Sequence, residues 1–167
     1  METSHDEDAR KATAPVRGRG AASRVPGRFE RRELRGEDDG WGSVYDDLAD
    51  APRPRTQVMV ERARSIISRN QSPDIGFSQS ANPYRGCEHG CVYCFARPSH
   101  AYLDLSPGLD FETRLFAKTN APELLRAELG KPGYAPSPIA LGINTDGWQP
   151  IEREHGISRA CLQVLLE

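Results

Sequence analysis

Asn82-Pro-Tyr-Arg-Gly-Cys-Glu-His-Gly-Cys-Val-Tyr-Cys-Phe-Ala-Arg97 places Cys87, Cys91 and Cys94 within eight residues. The spacing is C-x3-C-x2-C, with the aromatic Tyr93 directly before the third thiol. Thiolates on short spacers suit a soft metal, because one loop can fold round one centre and present several sulfurs to it. Zinc and an iron–sulfur cluster are the two candidates. A structural zinc takes four protein ligands, and His89 or His100 could complete a Cys3His set. A four-iron cluster held by three cysteines leaves one iron without a protein ligand, open to a substrate or cofactor. Gly86 and Gly90 bracket the first part of the loop. There they permit positive φ and let backbone N–H groups face sulfur.

Taken together, C-x3-C-x-aromatic-C resembles the signature of radical S-adenosylmethionine (radical SAM) enzymes. The longer string from Asn82 to Arg97 is similar to one branch of them, related to spore photoproduct lyase and described as DNA repair photolyase-like. The resemblance covers about residues 65–167 and is strongest at 72–118 and 138–154. It implies a [4Fe–4S] cluster on Cys87, Cys91 and Cys94, with S-adenosylmethionine (SAM) on the fourth iron. The implied activity is reductive cleavage of SAM to methionine and a 5′-deoxyadenosyl radical, acting on an unknown substrate. An electron donor such as flavodoxin or ferredoxin is the implied partner. The aromatic at Tyr93 would lie near the SAM adenine.

Downstream, Ile139-Ala-Leu-Gly-Ile143 is a continuous apolar run, which predicts a buried parallel strand. Asn144-Thr-Asp-Gly147 follows as a polar turn at its carboxyl end, where α/β folds bind ligands. Asn144, Thr145 and Asp146 are therefore candidate SAM contacts. The chain lacks the Gly-Gly-Glu type motif that many radical SAM enzymes carry here. Its own Thr-Asp-Gly-Trp-Gln-Pro-Ile-Glu152 resembles a branch-specific Thr-Asp-Pro-Tyr-Gln-Pro-x-Glu, with Gly147-Trp148 in place of Pro-Tyr. The plain alternative for Asp146 is a turn-capping carboxylate. Glu152 can bind a polar ligand group or face solvent. Cys161 falls on an apolar helix face and reads as a buried structural thiol.

Around these motifs the pattern is α/β. Gln57-Val-Met-Val60 and Ser65-Ile-Ile-Ser68 predict short strands, with one helix over Val58 to Ile67 as the alternative. Ile75 to Ala81 reads as the strand leading into the cysteine loop. Phe95 to Leu103 reads as a short helix interrupted by Pro98, and Phe111 to Lys118 as a strand. Asn120 predicts an N-cap for a helix over Pro122 to Leu129, and Ser158 a cap for the last helix.

The resemblance implies a barrel of six βα units, which at about 30 residues each would need roughly 180. Only residues 88–167 follow Cys87, and the chain stops inside an apolar helical face at Leu165-Leu-Glu167. The expected architecture is thus a partial (β/α) radical SAM barrel, its N-terminal half only, over residues 56–167. Residues 1–55 read as a disordered tail and linker.

The tail is Arg- and Gly-rich, with acids interleaved and few apolar residues to offset the entropy of ordering. Arg17-Gly-Arg-Gly-Ala-Ala22 resembles an N-terminal box of the same branch and is expected to dock on the core. Trp41, Val44, Tyr45 and Leu48 form a further docking patch in the linker.

The formal net charge of −2 carries no whole-chain signature of a nucleic-acid binder, although the arginines leave that partner open. No apolar run approaches the ~20 residues of a membrane span, so no membrane contact is expected. No signal-peptide core opens the chain, and the cysteine pattern is not a secreted disulfide framework. The expected location is cytoplasmic. The second reading of function is a non-catalytic iron–sulfur or zinc module, with nucleic-acid association through the tail.

Overall fold

The computed structural model describes residues 18–21, 25 and 55–167. The expected linker patch at Trp41 to Leu48 and most of the expected tail lie outside the described residues. Two small three-stranded sheets carry the fold. In the first, β1 (Gln57–Glu61) runs parallel to β5 (Arg114–Lys118), and β4 (Tyr84–Arg85) pairs antiparallel on its other side. In the second, β3 (Gln79–Ala81) is central, antiparallel to β2 (Ile67–Arg69) and parallel to β6 (Ile139–Leu141). Both sheets are mixed and neither closes among the described residues. The chain is a mixed α/β protein.

Residues 57–61 are strand, not helix, because β1 gains a full parallel ladder against β5 over the register Gln57↔Arg114 to Glu61↔Lys118. The expected strand over 111–118 divides instead. Leu109–Thr113 is helix α1, with Phe111, Glu112 and Thr113 all buried, and only Arg114–Lys118 is strand. The segment from Ile75 becomes strand only at Gln79, since Asn70 to Ser78 form a turn in which Asn70 N–H donates to Ser78 O at 2.8 Å. The helix expected over 95–103 is a 3-10 helix, Arg97–Leu103, with Pro98 in its first turn. It ends at Asp104 in the left-handed region, φ 57°.

Helix α2 (Ala121–Leu129) starts after Asn120, but the Asn120 side chain does not cap it. Its amide instead brackets Ala63, accepting from Ala63 N and donating to Ala63 O at 3.0 and 2.9 Å. Leu125 is fully buried, while Leu124 and Leu129 pack more loosely on the same core. Helix α3 (Glu152–His155) leads through Gly156, φ 61°, into α4 (Ile157–Leu165). Ser158 lies inside α4 and does not cap it. Its hydroxyl donates to Gly147 O at 2.7 Å. Cys161 is fully buried on α4, as its apolar position predicts.

One core joins the two sheets to the helices, through Ala81, Tyr84, Leu115, Ala117, Ala121, Leu125, Ile157, Cys161 and Val164. Strand β6 is parallel as expected but only half-buried along its length. Among the described residues it has one strand neighbour, β3, so it does not reach the burial of a central strand.

Candidate metal and cofactor site

Because β3 and β6 are parallel neighbours, the segments leaving their carboxyl ends emerge at the same edge of the sheet. After β3 the chain passes through the two-residue β4 into the cysteine loop, and after β6 comes Gly142 to Gln149. The two are bonded together along their length. Gly142 N–H donates to Ala81 O at 2.9 Å and Asn144 N–H to Asn82 Oδ1 at 2.8 Å. The Thr145 hydroxyl donates to Gly86 O at 2.6 Å. Gln149 Nε2 donates to the same carbonyl at 3.2 Å, while its Oε1 accepts from Glu88 N–H at 3.1 Å. Asp146 Oδ2 lies 3.2 Å from His89 Nε2, and its Oδ1 accepts from Trp148 N–H at 2.7 Å.

Cys87 is buried at the base of the loop, Cys94 is half-buried and Cys91 is exposed; none forms a disulfide. Cys87 and Cys94 belong to one small apolar cluster with Ala96 and Phe111. Burial pushes the Cys87 thiol up from its ordinary value, and the backbone N–H groups of His89 and Asp146 oppose that by donating to its sulfur. Such donors stabilise a thiolate. They come one from each loop, so the β6 loop takes part in the sulfur's surroundings. Gly86 (φ 75°) and Gly90 (φ 64°) adopt the left-handed turns expected of them. A Cβ on Gly86 would lie 2.6 Å from Leu115 and 2.9 Å from His100.

Among the described residues, no three His, Cys, Asp or Glu side chains are gathered round a common point for a metal ion. By donor chemistry, three thiols within eight residues of chain and sulfur-directed N–H groups fit a thiolate-ligated cluster. The two histidines that could complete a zinc site are placed differently. His100 is fully buried, its Nε2 lies 2.9 Å from Arg114 O, and its ring packs edge-on to Phe111. His89 is engaged with Asp146.

Tyr93 is 87% exposed, standing off the loop with Val92 and Phe95, and Trp148 is exposed on the β6 loop. Asn144 is exposed, whereas Thr145 is buried with its hydroxyl committed to Gly86. Glu152 neither faces solvent nor opens to a ligand. It is buried and accepts from the Tyr84 hydroxyl, Ser158 N–H and Arg159 N–H. Hydrogen bonding to this carboxylate adds to burial in raising the Tyr84 phenol far above its usual range.

Gln149, Glu112 and Arg97 are not site candidates by residue type and spacing. All three brace the loop. Gln149 is fully buried, and its place between Trp148 and Pro150 in the Thr145–Glu152 string was the available signal. Glu112 is fully buried and accepts from Arg97 Nη2. Arg97 in turn donates twice to Cys91 O, at 3.1 and 3.0 Å, and lies over the Phe111 ring.

Fold and site together define a mixed α/β protein in which a thiol-bearing loop, reached from β3 through β4, is seated on the polar loop that leaves β6, the parallel neighbour of β3. No family model matches the chain, and no solved structure matches it. It is similar to uncharacterized proteins of Mycobacterium bovis and Mycobacterium tuberculosis, each 48% identical over 89 residues. The matched stretch is 53% of this chain and 26% of each relative, so about a quarter of the relatives' length is represented. No helix among the described residues is long and apolar enough to cross a membrane.

Proposed function

We propose that this chain is the cluster-bearing part of a radical SAM protein, with Cys87, Cys91 and Cys94 as the ligands of a [4Fe–4S] cluster. The observation that carries the reading is the seating of the three-cysteine loop against the Asn144–Gln149 loop at the carboxyl end of a parallel β3–β6 pair. That is where α/β folds place bound cofactors. When bound, the cluster and SAM together supply the electron transfer and the carbon radical that such chemistry needs.

This chain's own residues hold and shield. Gln149 and Thr145 fix the Gly86 carbonyl and so the turn into Cys87. His89 and Asp146 direct N–H groups at the Cys87 sulfur. Tyr93 and Trp148 present exposed rings at the loop rim, suited to stacking on an adenine. The exposed Asn144 offers an amide for polar groups of the same ligand. An external electron donor, such as a flavodoxin or ferredoxin, belongs to the proposal.

A non-catalytic iron or zinc module is the second reading. It is favoured by the exposure of Cys91 against the burial of Cys87 and by the absence, among the described residues, of three ligand side chains round a common point.

The test is anaerobic reconstitution with iron and sulfide, then electron paramagnetic resonance of the reduced protein with and without SAM. A [4Fe–4S]+ signal that changes with SAM is expected. It should be lost in Cys87→Ser, Cys91→Ser and Cys94→Ser and kept in Cys161→Ala. A cluster indifferent to SAM would favour the second reading, and retention of zinc alone would sink the first.

A further inference from the structure

Cys91 is the exposed one of the three loop thiols, yet its backbone carbonyl is firmly held. Arg97 grips the Cys91 carbonyl with Nε and Nη2, and the Gly108 carbonyl with Nη1 at 3.1 Å. Behind Arg97 stands Glu112, a carboxylate with no solvent exposure. A buried carboxylate is costly unless its lone pairs are filled. Arg97 fills one side. The other is filled from the far end of the chain, by Arg19 N–H and by Gly20 N–H at 3.0 Å.

The Arg19 side chain extends the same grip. Its guanidinium donates to Glu112 O at 2.8 Å, to Thr56 Oγ1 at 2.9 Å and to Glu88 Oε1 at 3.2 Å. Glu88 lies between Cys87 and His89, so this contact reaches the cysteine loop directly. Gly18 N–H closes the segment into a turn on Ala21 O at 2.8 Å.

Contact between this segment and the loop is close enough to demand glycine on both sides. A Cβ on Gly20 would fall 1.7 Å from Gly90 O, and a Cβ on Gly90 would fall 2.5 Å from the Arg19 Cβ. Gly18 is equally confined, 2.7 Å from Glu112 Oε2. The segment therefore lies flat on the peptide immediately before Cys91.

We propose that Gly18–Ala21 is a strap that positions Cys91, with Arg19 and Gly20 as positioning residues and Glu112 and Arg97 as their anchors. The proposal rests on the reading of the loop as a thiolate site. The strap fixes the Gly90–Cys91 peptide and Arg97 the Cys91–Val92 peptide, so that the exposed thiol, held from both sides, samples few positions and can join Cys87 and Cys94 on one centre.

The test uses the full-length chain with Gly20→Ala, which lifts the strap without touching the core, and Glu112→Gln, which weakens the anchor. Arg126→Ala, in a surface ion pair on α2, is the control. Two readouts are taken. In metal-free protein, amide hydrogen exchange over residues 90–94 should accelerate about tenfold or more in Gly20→Ala, with β3 and β6 amides unchanged. In cobalt(II)-loaded protein, the thiolate-to-metal charge-transfer intensity per cobalt should fall by about a third, as expected for one thiolate lost of three.

Exchange and cobalt spectrum identical to wild type in Gly20→Ala would overturn the strap. Should Glu112→Gln lose protection throughout, Gly20→Ala alone decides. A wild-type cobalt spectrum without three-thiolate intensity would count against the proposed function, and the exchange readout would still decide the strap.

Discussion

His100 shows how a residue that looks like a ligand in sequence is used by the fold. It is fully buried, lined by Phe111 and Phe116, with one ring nitrogen on the Arg114 carbonyl and Nδ1 unpartnered. Burial holds its basicity below the ordinary histidine value of 6.5, with Arg85 and Arg114 adding in the same direction and Asp110 opposing them. A group whose folded value is depressed costs stability as pH falls, because the unfolded chain takes up the proton first. Well above pH 6.5 the residue is neutral in both states and contributes no slope. Below it, stability should decline by at most about 1.4 kcal/mol per pH unit from this group. Urea denaturation of His100→Gln and wild type at pH 7 and pH 5 should show the gap between them narrowing at the lower pH. A constant gap would show that His100 titrates normally.

At the scale of elements, the two loops depend on tight backbone geometry at the end of β6. Gly142 has φ 77°, and a Cβ there would approach Gly147 N to 2.9 Å and Thr145 O to 3.1 Å. Gly142→Ala should therefore cost about 1–3 kcal/mol, read by thermal unfolding. Gly76→Ala, where a Cβ meets nothing within 4 Å, should be close to neutral.

The sequence made some elements plain and hid others for physical reasons. The cysteine loop, α2, and the parallel strand at Ile139 were legible because each rests on local chemistry: thiol spacing, an Asn-Ala-Pro start and an apolar run. The division of 111–118 into helix and strand was not, since Phe111 and Glu112 turn inward for Cys87 and Arg97 rather than for a local period. Nor was the fate of Glu152, because its donors Tyr84 and Ser158 arrive through tertiary contact. Of the candidate site, the thiols could be found by spacing. Gln149 had only its place in the Thr145–Glu152 string to mark it, and Glu112 and Arg97 had no signal, because what they hold is distant in sequence or is backbone.

Across the whole molecule, Leu125 is one of the largest side chains of the core that both sheets share. It is fully buried in the core that also contains Ala81 of β3 and Leu115 of β5. Truncation to Leu125→Ala should cost about 2–5 kcal/mol. Because one core serves both sheets, native-state hydrogen exchange should record the loss equally in β1–β5 and in β3–β6. A loss confined to one sheet would mean that they unfold as separate units.

The non-local bracing of the cysteine loop has a consequence for protein engineering. Residues 82–97 look like a portable cassette, a short run containing all three thiols. Its scaffold is supplied from elsewhere: Arg19 and Gly20, Glu112, and the Thr145–Gln149 turn. Grafted alone onto another protein, the cassette would carry its sulfurs without their framework. A transplant that keeps its shape must bring three separate stretches of chain along with it.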